Sequence, residues 1–213
     1  MQRYKEKFFE LALDKGNLRF GSFTLKSGRI SPYFFNAGGF DDGASLAELS
    51  RCYAEAISAS AIGFNMLFGP AYKGIPLAAA AAIALHEYHS RNVPFAYNRK
   101  ETKDHGEGGI IVGARLEGKV LIIDDVISAG TSVRESIDII RSAGAEPAGI
   151  AIALDRQERG RGKLSAVQEV YNEFGIPCVS IATLADLLEY LQIMQPGDID
   201  IESIRSYRDE YGV

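Results

Sequence analysis

Two adjacent carboxylates, Asp124 and Asp125, follow the apolar run Val120-Leu-Ile-Ile123 and precede Val126, Ile127 and the small residues Ser128, Ala129, Gly130, Thr131 and Ser132. Val133-Arg-Glu-Ser-Ile-Asp-Ile-Ile140 then carries helical spacing. A buried strand, two acids, a small-residue turn and a helix start, in that order, suit a sugar phosphate. Free backbone N–H groups at a helix start, together with the positive end of its macrodipole, bind an anion. The carboxylates can accept hydrogen bonds from sugar hydroxyls and favour a nearby divalent cation.

Three further groups of residues fit the same chemistry. Phe68-Gly-Pro-Ala-Tyr-Lys-Gly-Ile-Pro76 is a second strand-turn-helix element, with Tyr72 and Lys73 held between Gly69 and Gly74. Its glycines allow close approach of the backbone, and amides at the helix start favour pyrophosphate. From Asn98 to Gly109, Arg99, Lys100, Lys103 and His105 run into glycines. A cationic loop of this kind can close over a polyanion, exclude water and stabilise the growing charge of a leaving group. The plainer alternative is a solvated hairpin. Lys26 with Phe34-Phe35 offers a cation and an aromatic face to a flat anionic heterocycle. Adjacent strand residues point to opposite faces, so one phenylalanine packs inward while the other lines a pocket. Arg156 follows Leu154-Asp155 and can grip a carboxylate with two parallel hydrogen bonds. Arg159 and Arg161 read as solvated. His86 and His89, three apart on a helix without an acidic or cysteine partner in sequence, read as a packed or surface pair.

The elements that must position these residues follow from periodicity and punctuation. Spacing predicts helices over residues 4–14, 44–58, 74–89, 131–143, 165–174 and 184–191, the second capped near Asp42. Strands are predicted at 20–25, 33–36, 66–68, 95–98, 120–123, 149–154 and 177–181. Beyond residue 60 strands and helices alternate, which predicts an α/β fold with a central, mainly parallel sheet flanked by helices. Ligands of such sheets sit at the carboxyl ends of the strands, where Asp124 and Asp125 fall. The expected layout is one domain over 1–213: a small N-terminal hood over about 1–60, a core over about 61–195 and a terminal helix within 196–213. Ile201, Ile204 and Tyr207 share a helical face there, and no chemistry is read in that tail.

At 213 residues the chain suits one domain with a substantial core. A net charge of −5 argues against a general nucleic-acid binder. Cys52 and Cys178 lack metal spacing and read as reduced thiols. The charged start Met1-Gln-Arg-Tyr-Lys-Glu-Lys7 does not read as a signal peptide, and the apolar stretch Ile75–Leu85 is shorter than the about 17–25 residues of a spanning helix. A cytoplasmic protein, with neither membrane nor nucleic acid as partner, is expected.

The run from Val120 to Ser132 resembles the phosphoribosyl-pyrophosphate (PRPP) signature of the type I phosphoribosyltransferases, and with Lys26, Phe34-Phe35, Tyr72-Lys73, Arg99-Lys100, Lys103, His105 and Arg156 the chain is similar to the short bacterial orotate phosphoribosyltransferases. That resemblance implies a type I phosphoribosyltransferase fold and transfer of phosphoribose from PRPP to orotate with Mg²⁺, in UMP synthesis. It implies that PRPP is held by Lys26, Tyr72, Lys73, Arg99, Lys100, Lys103, His105 and the segment Asp124 to Ser132. Orotate is held by Lys26, Phe34, Phe35, Ser128 and Arg156. Lys26, Lys103, His105, Asp124 and Asp125 serve the chemistry, the metal is carried mainly by PRPP and water beside the two aspartates, and Lys103 and His105 reach the neighbour's site in a homodimer. It also implies a cis peptide between Ala71 and Lys73. Ser128 departs mildly from the short bacterial members, which mostly carry Thr there, whereas several purine members place a basic Asp at that position. A purine or uracil phosphoribosyltransferase and a PRPP-sensing regulator are the alternatives.

Overall fold

The computed structural model describes residues 1–25, 27–103, 109–127, 130–160, 162–197 and 199–213, apart from the side chains of Thr102 and Lys103. Lys26, His105, Ser128, Ala129 and Arg161, all singled out above, lie outside the described residues, as does the side chain of Lys103.

The chain opens with helix α1 (Arg3–Asp14), which buries Phe8, Phe9 and Ala12. Strands β1 (Leu18–Thr24) and β2 (Ile30–Phe35) pair antiparallel as a separate two-stranded ribbon. Helix α2 (Gly43–Ala59) starts at Asp42, whose side chain accepts from the Ser45 amide at 2.8 Å. This is the cap expected from the sequence.

The remaining elements alternate: β3 (Met66–Gly69), α3 (Gly74–His89), β4 (Phe95–Lys103), β5 (Gly109–Gly113), β6 (Lys119–Ile123), α4 (Thr131–Ser142), β7 (Glu146–Asp155), α5 (Ala166–Phe174), β8 (Cys178–Thr183), α6 (Leu184–Met194) and α7 (Ile201–Tyr211). Strands β3 to β8 form a six-stranded sheet in the order β5-β4-β3-β6-β7-β8. All neighbouring pairs are parallel except β4–β5. The fold is therefore α/β with a mainly parallel central sheet flanked by helices.

Strand alternation explains the two-sided core. Met66, Phe68, Val120, Ile122, Ile150 and Ile152 pack with Val133, Ile137 and Val170 of α4 and α5. Leu67, Leu121, Ile123, Ala151 and Ala153 face the other way, towards a larger cluster with α2, α3 and α6. Side chains one apart on a strand point to opposite faces, so a continuous apolar run feeds both layers.

Two sequence expectations need correction. The basic run from Asn98 was expected as a loop, yet β4 continues to Lys103, so Arg99 and Lys100 stand on a strand. β5 was not placed as a strand, and its pairing is in line with the hairpin given as the plainer alternative. It pairs with β4 as an antiparallel edge, with an irregular register between Asn98 and Lys103. Arg159 is exposed, as read from the sequence, while its amide donates to the Tyr211 carbonyl at 2.9 Å and its guanidinium lies 5.8 Å from the Tyr211 ring.

Candidate active site

From β3 the chain crosses through α3 to β4 on one side of the sheet. From β6 it crosses through α4 to β7 on the other side. The connections that leave β3 and β6 therefore diverge, opening a crevice at their carboxyl ends. The Gly69–Gly74 turn and the Asp124-Asp125 tip meet there.

The turn after β3 is held by tight backbone packing. A Cβ on Gly69 would lie 2.2 Å from the Gly74 carbonyl oxygen, and one on Gly74 would lie 2.7 Å from the Ile123 carbonyl oxygen. These glycines let two turns approach each other, beyond the ligand approach expected from the sequence. A cis peptide joins Ala71 and Tyr72, within the segment expected to hold one. The Ala71 amide donates to Asn98 Oδ1 at 2.8 Å, which ties the turn to β4. The amides of Gly74 and Ile75 donate to Pro70 and Tyr72 carbonyls, and Pro76 has none. Among the described residues, the amides of Tyr72 and Lys73 have no acceptor and stay open to an anion.

Lys73 Nζ donates to Asp125 Oδ2 at 2.6 Å, which brings two predicted site residues from different turns together. Asp124 and Asp125 are both buried. Asp124 Oδ1 accepts from the Asp125 amide at 2.9 Å, and its Oδ2 accepts from Ser132 Oγ at 3.1 Å. Asp125 Oδ1 accepts from the Val126 amide at 2.9 Å. Burial, and next the neighbouring Asp125 charge, push the Asp124 carboxyl up from 3.8 to about 6. The first turn of α4 has no side-chain cap, and Gly130 enters it at φ +71°, a left-handed conformation that glycine adopts without strain. The amides of Thr131, Ser132 and Val133 lack acceptors among the described residues.

Tyr72 is 71% exposed, so its ring is presented to solvent. Arg99 is half-buried, and its Nη1 is buried without a hydrogen-bond partner among the described residues. Lys100 is exposed. Phe34 and Phe35 do point apart. Phe35 packs against Phe8 and Phe40, while Phe34 stacks near Phe23 with the Arg19 guanidinium 5.6 Å away. Neither ring is recorded against Arg156. Instead β2 meets Arg156 through Ser31, whose Oγ accepts from Nη2 at 3.1 Å, and Tyr33, whose ring lies 4.2 Å from the guanidinium.

Sequence reasoning missed Ser31, Tyr33, Glu158 and Tyr53. Tyr53, fully buried on α2, donates from its hydroxyl to the Asp124 carbonyl at 2.7 Å. Its only sequence signal was a polar tip within an apolar helical face. Among the described residues no three or more His, Cys, Asp or Glu side chains gather as a metal site, and no helix is long and apolar enough to cross a membrane. Cys52 and Cys178 are free, as expected.

The phosphoribosyl transferase domain model matches residues 40–178, which span both turns of the crevice. The curated orotate phosphoribosyltransferase of Thioalkalivibrio sulfidiphilus is 61% identical to this chain, with 100% of both chains covered. That of Chromobacterium violaceum is 64% identical, covering 100% of this chain and 99% of its own. The chain belongs to the orotate phosphoribosyltransferase family. A crystal structure of orotate phosphoribosyltransferase from Francisella tularensis superposes with a TM-score of 0.86 at 42% identity, covering 97% of this chain and 99% of that one. The type I phosphoribosyltransferase fold expected from the sequence is thus the fold of this family member.

Proposed function

We propose that the chain, like its family, transfers the 5-phosphoribosyl group of PRPP to orotate, giving orotidine 5-monophosphate and pyrophosphate in pyrimidine synthesis. The observation that carries the reading is the pairing of Lys73 with Asp125 at the point where the sheet's connections diverge. A cation suited to pyrophosphate and an anion suited to ribose hydroxyls stand side by side.

In this reading the open amides of Thr131, Ser132 and Val133 and the positive end of α4 hold the 5-phosphate. Asp124 and Asp125 accept hydrogen bonds from the ribose 2- and 3-hydroxyls and favour positive charge on the sugar. Lys73, the amides of Tyr72 and Lys73, Arg99 and Lys100 take the pyrophosphate, with Lys103 and His105 as the closing cations. The C1–O bond breaks, its electron pair leaves on pyrophosphate, and an oxocarbenium-like centre forms. Orotate N1 supplies the pair of the new N–C bond, its proton being lost as orotate reacts as an anion. Arg156 holds the orotate carboxylate, with Lys26, Phe34, Phe35 and Ser128 around the ring.

Mg²⁺ fits this donor set: two buried carboxylates are hard oxygen ligands, too few for an all-protein cage, so the cation would be shared with substrate oxygens near Asp124 and Asp125. When bound it would supply charge neutralisation to the departing pyrophosphate. We also propose a homodimer whose partner contributes Lys103 and His105, the one-domain layout with an N-terminal hood, and a cytoplasmic location.

The test is a coupled absorbance assay with orotate, PRPP and Mg²⁺, run beside hypoxanthine and uracil. Loss of orotate absorbance only when PRPP is present supports the reading. Turnover of another base without orotate overturns it.

A further inference from the structure

Arg156 is held by a set of residues that neither its sequence neighbourhood nor the transfer chemistry calls for. Its Nη2 donates to Glu158 Oε1 at 2.5 Å and to Ser31 Oγ at 3.1 Å. Ser31 is oriented for this role, because its own hydroxyl hydrogen goes to the Tyr33 carbonyl at 2.7 Å. Tyr33 Oη donates to the same Glu158 Oε1 at 3.2 Å. Glu158 and Arg156 keep only 12% and 20% of their side-chain surface exposed. Both of these Arg156 hydrogen bonds leave from Nη2, and the Tyr207 hydroxyl also lies close enough to feel its guanidinium.

Glu158 is itself fixed from the far end of the chain. The Arg159 amide donates to the Tyr211 carbonyl at 2.9 Å, and the Val213 amide donates to the Gln157 carbonyl at 3.0 Å. Glu158 and Gly212 form an antiparallel bridge between these bonds. Arg29 closes the other side, donating to the carbonyls of Arg159 and Gly160 at 2.7 and 3.0 Å. Tyr207 of α7 stands edge-on to Tyr33, with ring centres 6.3 Å apart, and its buried hydroxyl has no hydrogen-bond partner among the described residues. Burial first, then the Glu158 charge, raises the Tyr207 hydroxyl above its ordinary range, so that hydroxyl feels the carboxylate.

We propose that Glu158 is a positioning residue for the acceptor base, binding Nη2 of Arg156 so that the guanidinium plane is fixed and its Nη1 edge is presented to orotate. The proposal rests on the assignment of Arg156 to orotate made above. A guanidinium free to rotate offers the same charge but no fixed direction for its remaining donors. Glu158 lowers the orientational cost of binding by holding that plane in advance. It touches no reacting atom, so its removal acts on orotate binding and leaves PRPP binding alone.

The experiment is steady-state kinetics for both substrates on Glu158→Ala, Glu158→Asp, Glu158→Gln, Arg156→Ala and the Arg156→Ala/Glu158→Ala pair, with thermal unfolding of each. Glu158→Ala is expected to raise the KM for orotate about tenfold, with the KM for PRPP within about twofold of the parent. Glu158→Asp withdraws the carboxylate by one methylene while keeping its charge, and serves if the alanine variant does not fold. It is expected to raise the orotate KM about fivefold. Glu158→Gln, whose amide oxygen still accepts from Nη2, restores most of the affinity. In the Arg156→Ala background the Glu158 substitution adds nothing. An impaired Arg156→Ala beside silent Glu158 variants overturns the role of Glu158 alone. So does a rise in both KM values together, or a Glu158 effect that persists without Arg156. A silent Arg156→Ala removes the orotate assignment itself, and the proposal with it.

Discussion

Lys73 Nζ sits 2.6 Å from Asp125 Oδ2, so a cation from the turn after β3 and an anion from the tip of β6 satisfy each other across the crevice. Each is the partner a substrate would otherwise need to provide. In the proposed function, binding of PRPP exchanges this internal ion pair for contacts with pyrophosphate and ribose, which avoids stranding a bare buried carboxylate.

Lys73→Ala is expected to weaken PRPP binding at least tenfold, equivalent to about 1.4 kcal/mol. The Lys73 side chain is 54% exposed but that of its partner Asp125 only 11%, so removal of the lysine leaves a buried carboxylate without its cation and is expected to lower the unfolding temperature as well. Titration calorimetry with PRPP and a thermal scan separate the two effects, and unaltered PRPP affinity would remove Lys73 from the site.

Asp124 gives a pH signature. Its carboxyl is raised from 3.8 to about 6 by burial and by Asp125. The folded state therefore holds the proton more tightly than the unfolded state. This group's contribution to stability falls as pH climbs from about 4 to about 6, and above that it costs roughly 3 kcal/mol. Asp124→Asn is expected to stabilise the ligand-free protein at pH 7 by up to about that amount, with the gain vanishing below pH 4. In the parent, kcat/KM for PRPP is expected to fall below pH 6 as the carboxylate is protonated. Unfolding at several pH values and a pH–rate profile check both signs. A destabilised Asp124→Asn at pH 7 contradicts the first.

Tyr53→Phe deletes the hydroxyl that donates to the Asp124 carbonyl at 2.7 Å. A buried acceptor loses its donor, so about 1–2 kcal/mol of stability should go, with a fall in Tm of about 2–6 °C. The acidic tip loosens with it, and a several-fold drop in kcat/KM for PRPP is expected. If calorimetry shows parent-like stability, the bond makes no net contribution.

Gly69→Ala forces a methyl to 2.2 Å from the Gly74 carbonyl oxygen. The backbone of the turn must move, at a cost of about 1–3 kcal/mol. Because Tyr72 and Lys73 lie within that turn, PRPP binding should suffer more than orotate binding. Comparison of the two KM values decides, and a fully active variant would show that the turn tolerates the shift.

Lys103→Ala is expected to lower kcat strongly with a modest loss of PRPP affinity, as suits a cation that acts on the leaving group late in the reaction. Undiminished turnover would take Lys103 out of the chemistry.

What could be read from the sequence was the part written in contiguous residues. The helix from Gly74 to His89 has the expected bounds, and the strand, acids and helix start around Asp124 fall where the apolar run and the glycine place them. β5 escaped because Gly109-Ile-Ile-Val-Gly113 is a short run beside a cationic stretch whose composition dominates the reading, and its strand character comes from pairing with β4. β7 starts earlier than expected, at Glu146, because a proline in a run argues against a strand, yet Pro147 fits beside an irregular register with β6. Tyr53, Ser31 and Glu158 were invisible for another reason. Tyr53 and Ser31 act through partners distant in sequence, such as the 125 positions between Ser31 and Arg156, and Glu158, though two residues from Arg156, is fixed in place by a bridge to Gly212. No local period records such contacts. The terminal helix read as plain packing because its apolar face is genuine: Ile204 and Tyr207 are buried, and the polar tip of Tyr207 gains meaning only beside Glu158.

The two halves of the crevice are carried by different strands. Lys73, Asp124, Asp125 and Ser132 belong to the turns after β3 and β6, whereas Arg156 and its retinue belong to the end of β7, the ribbon and the last turn of the chain. Under the proposed assignment of Arg156 to orotate, recognition of the incoming ring is a replaceable module. Transplanting the 155–160 loop together with its matching C-terminal segment is a route to a different nucleobase preference on an unaltered sugar-donor platform, and a compound aimed at the Arg156 end can discriminate among enzymes that share the same donor.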